Sequence, residues 1–167
     1  AGVIDEVAVV LEAAISDAGL VVLAGPPLDV VGLMGPATAP WAALAPDALV
    51  TDVASTKAVV MAAAAEAGVP FVGGHPMAGR ETSGFGAATA DLFVDRPWVI
   101  VEGATSPAGG VDLVEALAAS LGSVPVRMAA DTRDVHVTQL REREPTKPCN
   151  IEEIYAAYAD GGALSRR

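Results

Sequence analysis

The chain has 167 residues, 52 % of them apolar but only 4 % aromatic, and a net charge of −11 at neutral pH. That length carries one domain with a sizeable core, which has to be built from Ala, Val and Leu. So acidic a surface repels phosphate backbones and argues against nucleic acid as a partner. No apolar run approaches the roughly 20 residues of a membrane span, and no basic, then apolar, then small-residue pattern marks a secretion signal. The single cysteine, Cys149, rules out an intramolecular disulfide and fits a reducing cytoplasm. The chain opens on Ala1, in mid-pattern, which reads as the start of a fragment.

In chain order, Val7 to Val10 reads as a short edge strand and Leu11 to Ile15 as a helical turn. Leu20 to Ala24 is a stronger strand, a continuous apolar run closed by Gly25-Pro26-Pro27. Pro27 suits the first turn of a helix whose face is Leu28, Val31 and Met34. A turn at Pro46-Asp47 leads to a strand over Ala48 to Val53. Ser55 is placed to cap an Ala-rich helix reaching Ala67 and ended by Gly68-Val69-Pro70. Phe71-Val72 is a short strand running into Gly73-Gly74-His75-Pro76 and a glycine-rich loop to Gly86. Ala87 to Phe93 reads as helical, Trp98 to Val101 as a strand, Val111 to Leu121 as an amphipathic helix, and Val124 to Met128 as the last strand. Such alternation predicts an α/β fold with an open, mostly parallel sheet. Ligands in these sheets sit beyond the carboxyl ends of the strands, so Gly25-Pro26, Asp52 to Lys57 and Gly73 to Gly84 are the segments where chemistry is expected.

Asp52-Val53-Ala54-Ser55-Thr56-Lys57 ends a strand and opens a helix, where free N–H groups welcome an anion or a polar ligand atom. A lysine in a first helical turn is disfavoured by the dipole by a few tenths of a kcal/mol, which hints at a negatively charged ligand. The plainer reading makes Asp52 and Ser55 caps and Lys57 a solvated side chain. In the second segment, Gly73 and Gly74 let the backbone pass close to something, and His75 follows, held by the ring of Pro76. Histidine titrates nearest working pH and suits a general base; a histidine bonded within a turn is the plainer alternative. Other signals are weak. Gly84-Phe85-Gly86-Ala87-Ala88-Thr89 lacks both the last position and the preceding strand of a dinucleotide fingerprint. Ser55, His75 and Asp52 lack a nucleophile elbow. His75 and His136 do not make a metal cluster, so no metal is expected.

Together, T-D-V-A-S-T-K (residues 51–57) and F-V-G-G-H-P-M-A-G-R-E-T-S-G (residues 71–84) resemble the prephenate dehydrogenase pattern D-x-x-S-x-K followed by G-x-H-P-M-x-G-[ST]-E-x-S-G. Leu20 to Ala24, and Ala90-Asp91-Leu92-Phe93 before Pro97-Trp98-Val99-Ile100, are also similar to that family, so the likeness runs over about residues 1–135. The resemblance implies a Rossmann-like domain using NAD or NADP, and oxidative decarboxylation of prephenate, or of arogenate in close relatives. It implies that His75 takes the proton of the ring hydroxyl with Ser55 beside it, and that Gly25, Pro26 and Asp52 line the nicotinamide. Arg80 and Glu81 fall beside the substrate in the matched motif; Arg80 departs from the family's small Ser or Thr there.

On the same resemblance, the first βα unit with its phosphate-binding turn belongs upstream of Ala1, and a helical domain that makes the family's homodimer belongs downstream. The likeness stops near residue 136. Residues 1–136 are therefore expected to form a partial dinucleotide-binding domain, and residues 137–167 an unrelated tail with one short helix capped by Asn150 and Glu153. A fragment so built is expected to be inactive alone. A non-catalytic folded remnant, or another β-hydroxyacid-type dehydrogenase, are the competing readings.

Overall fold

The computed structural model describes residues 4–35, 40–78 and 88–129. The elements in chain order are α1 (Leu11–Ile15), β1 (Leu20–Leu23), α2 (Pro27–Leu33), a 3-10 turn (Pro40–Ala43), β2 (Leu49–Asp52), α3 (Ala58–Ala67), β3 (Phe71–Pro76), β4 (Pro97–Glu102), α4 (Gly110–Ser120) and β5 (Val124–Ala129). The five strands form one sheet in the order β1-β2-β3-β4-β5. Three pairings are parallel and β3–β4 is antiparallel. The fold is the α/β, mostly parallel arrangement that the alternating pattern predicts.

Each helix has a local reason for its limits. Pro27 begins α2 because its fixed φ is already helical and its missing N–H is not needed there. Both longer helices end on a glycine in the left-handed region, Gly68 at φ 67° and Gly122 at φ 77°. In each case the following amide reaches back across the last turn, Val69 N to Ala64 O and Ser123 N to Ala118 O, both 3.0 Å, which satisfies carbonyls that a helix end leaves bare.

The helices cover the two faces of the sheet unequally. Val21, Leu23, Val50 and Phe71 pack with Val30 of α2 and Val60 and Ala64 of α3. On the other face Leu49, Val72, Trp98 and Ile100 pack with Val114 and Ala118 of α4. β2 is buried along its whole length, as expected of a strand covered on both faces. Each fully buried Val, Ile or Phe contributes about 1.5–3 kcal/mol, so these two clusters hold the sheet without many aromatics.

Several expectations shift. Residues 7–10 form no strand, and Val7 and Val9 stand exposed; a lone apolar run without a neighbouring strand has no ladder to join. Residues 88–96 form turns rather than a helix. Leu92 N and Val94 N reach only three residues back, and Asp95 N is drawn to Gly122 O at 2.9 Å, which ties the chain to the turn between α4 and β5. β3 is longer than the apolar pair Phe71-Val72, because Gly73 to Pro76 pair with Val101 to Trp98 of β4. The expected tail helix near Asn150 lies outside the described residues.

Candidate active site

β2 ends at Asp52, while β3 runs on to Pro76. The two pair only as far as Thr51 with Val72. Gly74 therefore overhangs, with its N–H and C=O turned towards a strand that has already stopped. Two side chains complete the missing rung. Gly74 N donates to Asp52 Oδ1 at 3.0 Å, and Lys57 Nζ donates to Gly74 O at 2.7 Å. Lys57 also pairs with Asp52 Oδ2, and Ala54 N donates to that oxygen at 3.2 Å.

Asp52 is fully buried and the Lys57 side chain is 14 % exposed. Burial pushes the Asp52 carboxyl above its ordinary value, against the pull of Lys57 and the hydrogen bonds from Lys57, Gly74 and Ala54. Burial likewise pushes the Lys57 ammonium down, against the pull of Asp52. In both groups desolvation outweighs the attraction, the usual balance for a buried pair. Neither plain sequence reading of Lys57 describes this arrangement: it is neither solvated nor left to greet an anion. Ser55 does not cap α3 either. The helix begins at Ala58 with Lys57 as its N-cap and no side-chain cap bond, because the ion pair holds residues 53–57 out of the helix.

Past this rung the last two residues of the strand are His75, opposite Val99, and Pro76, opposite Trp98. His75, Ser55 and Gly25 line one cavity of about 570 Å³ at the carboxyl ends of β1, β2 and β3, a size usual for small-molecule sites. The rest of the wall is mainly apolar, with Val22, Phe93, Trp98, Leu117 and Leu121 prominent. Phe93 and Trp98 are in ring contact, centroids 5.3 Å apart, a geometry worth about 0.5–1.5 kcal/mol beyond burial. Sequence reasoning did not single out these wall residues; Leu117 and Leu121, four apart on the exit of α4, were the available signal. Pro26 and Asp52 are not part of the wall. Pro26 is exposed and caps α2 through its carbonyl, and the Asp52 carboxylate is turned to Gly74. Arg80 and Glu81 lie outside the described residues. Among the described residues, no group of three or more His, Cys, Asp or Glu could hold a metal ion.

Gly74 tolerates nothing larger. A Cβ there would stand 2.5 Å from Asp52 O and 3.1 Å from both Thr51 Oγ1 and Trp98 Nε1, two buried atoms that have no hydrogen-bond partner among the described residues. Since the nearest atom is backbone, the end of β2 has to move. Gly74→Ala is expected to lower stability by about 1–3 kcal/mol, seen as a lower denaturant midpoint. Gly19→Ala, which meets nothing within 4 Å, should leave it nearly unchanged.

The family described as prephenate dehydrogenase, nucleotide-binding domain, matches residues 1–127. The chain belongs to the prephenate dehydrogenase family. It is 36 % identical over 93 residues to the probable prephenate dehydrogenase NovF of Streptomyces niveus, covering 56 % of this chain and 25 % of NovF. It is 31 % identical over 138 residues to the cyclohexadienyl dehydrogenase of Zymomonas mobilis, covering 81 % of this chain and 45 % of that protein. The crystal structure of prephenate dehydrogenase from Aquifex aeolicus superposes with a TM-score of 0.60 at 26 % identity, over 71 % of this chain and 42 % of that one. The same Aquifex enzyme in complex with hydroxyphenyl propionate and NAD+ gives 0.58 at 26 % identity, over 66 % and 38 %. The chain thus spans less than half the length of these prephenate dehydrogenase relatives.

Proposed function

We propose that this chain carries the proton-accepting side of an NAD- or NADP-dependent prephenate dehydrogenase, which converts prephenate to 4-hydroxyphenylpyruvate with loss of carbon dioxide. The observation that supports this reading best is the placement of His75 and Ser55 on the wall of one largely apolar cavity beyond the strand ends. A neutral imidazole accepts a hydroxyl proton near pH 7, and Ser55 orients that hydroxyl. The apolar wall around Phe93 and Trp98 suits a six-membered carbocycle about to become aromatic. A nicotinamide, when bound, supplies the hydride acceptor, and the space beside Gly25 and Pro27 suits its flat ring.

In this reading residues 1–136 are the dinucleotide-binding unit and residues 137–167 a separate tail, with Arg80 and Glu81 near the substrate. Arogenate is the alternative substrate, and pairing into a homodimer is the task of the family's helical domain. No helix among the described residues is long and apolar enough to cross a membrane, and we place the protein in the cytoplasm.

The test is an NMR titration of the 167-residue chain with 3-(4-hydroxyphenyl)propionate. Resonances of His75, Phe93 and the Trp98 indole should move while those of Ile15, buried at the end of α1 and away from the cavity wall, stay put. Movement confined to sites away from the cavity would sink the reading.

Dinucleotide affinity should be low in this chain. Among the described residues, the helix of eight residues or more that opens at the carboxyl ends of β1, β2 and β3, where the cavity lies, is α3, and Lys57, already paired, occupies its start. No glycine turn is left there to cradle a pyrophosphate. Calorimetry is expected to give a dissociation constant of about 1 mM or weaker for NAD+ and NADP+; micromolar binding would mean that another segment holds the phosphates.

A further inference from the structure

We propose that the Asp52–Lys57 ion pair is the positioning device of His75: it clamps both backbone groups of the preceding residue and thereby sets where the imidazole enters the cavity. Three observations carry this. The clamp is bidentate, taking the Gly74 N–H on the carboxylate and the Gly74 C=O on the ammonium. It is largely shielded, fully at Asp52 and with the Lys57 side chain 14 % exposed, so solvent competes little for the bonds. And it stands where the β2–β3 ladder has run out, so no main-chain rung from β2 shares the task. On the other side, His75 is aligned with Val99 of β4. The strand end is thus gripped from both flanks, once by backbone and once by an ion pair supplied by the turn that also carries Ser55. One device therefore fixes both polar residues of the cavity wall. Asp52 holds Ala54 N–H, next to Ser55, on the same oxygen that meets Lys57. That the imidazole so placed acts on a substrate rests on the reading above; the positioning itself does not.

The experiment uses the 167-residue chain. In the unaltered protein the Gly74 amide should be protected from hydrogen exchange to the same degree as the Val72 amide; an unprotected Gly74 amide would overturn the proposal without any variant. In Lys57→Met, under conditions where circular dichroism shows the fold retained, Gly74 protection should drop roughly 10- to 100-fold, the worth of a hydrogen bond to a charged group. Val21, on the far side of β2, serves as the internal reference. The His75 imidazole should change both its chemical shift and its titration midpoint in this variant, which a general loss of stability does not produce. Lys57→Arg, which can still bond Asp52 and the Gly74 carbonyl, should return both towards the wild-type values. A folded Lys57→Met with the His75 midpoint and Gly74 protection unchanged would refute the assignment. If the wild type shows no response to 3-(4-hydroxyphenyl)propionate, the proposed function fails, while the amide and imidazole readouts still decide this inference.

Discussion

Replacing His75 by Asn, in this chain joined to a phosphate-binding first βα unit and a helical second domain, is expected to lower kcat for prephenate about 10²–10⁴-fold, the usual worth of a general base. The KM for the dinucleotide should change little. The argument starts from position: His75 is the penultimate residue of β3, lies past the Gly74 clamp and lines the cavity. Asparagine keeps the size and one hydrogen-bonding edge of the imidazole but cannot take a proton. Ser55→Ala should cost less, because serine orients the hydroxyl and does not accept its proton at neutral pH. The pH profile discriminates further. If His75 is the base, the acid limb of kcat/KM disappears in His75→Asn. An unchanged kcat would reduce His75 to a structural residue at a strand end.

How much of this was legible in the sequence depends on whether the signal was local. The apolar runs at Leu20, Leu49 and Trp98 announce their strands because buried parallel strands need only continuous apolar character, and Val124 to Met128 announces its own by alternation, exposed Arg127 standing between buried Val126 and Met128. Gly73-Gly74 announces nothing of the kind, since glycine has poor strand propensity. Its strand exists because β4 pairs with it residue by residue from Val72 to Pro76. The start of α3 was misplaced for a related reason. Ser55 has the right chemistry for a cap, but a cap is worth about 1 kcal/mol, and a buried ion pair with three further hydrogen bonds around it decides the local path instead. Lys57 drew attention only through the small dipole penalty. Its partner across the turn was in view, five residues back, but Gly74, 17 residues on, became its acceptor only through folding. The cavity wall was hidden similarly. Phe93, Trp98, Leu117 and Leu121 come from a turn, a strand and the exit of a helix, and no spacing rule links them.

Lys57→Met is expected to cost about 3–5 kcal/mol of stability, the usual penalty for stranding one member of a buried pair. Against a total of about 5–15 kcal/mol for a domain, that is enough to bring a marginal fold close to unfolding at room temperature. The loss should depend on pH. Burial already holds the Asp52 carboxyl above its ordinary value with Lys57 present, and removing the ammonium takes away the strongest pull in the other direction. A carboxyl with a folded pKa above its unfolded one binds more protons folded than unfolded, so stability falls as pH rises. The fall should begin near the ordinary carboxyl range, about pH 4, and level off once pH passes the raised value. Denaturant titrations of Lys57→Met at several pH values should therefore show the variant closest to wild type in mild acid and furthest from it at neutral pH. The double variant Asp52→Leu/Lys57→Met makes the cause visible. Many buried ion pairs can be exchanged for apolar residues at no cost. Here the exchange leaves Gly74 N–H, Gly74 C=O and Ala54 N–H without the partners they have now, and each such group costs about 1–3 kcal/mol when buried. The double variant should lose the pH dependence due to Asp52 yet stay destabilised. Full recovery of the wild-type midpoint would mean that the pair serves its own charges and not the strand end that carries His75.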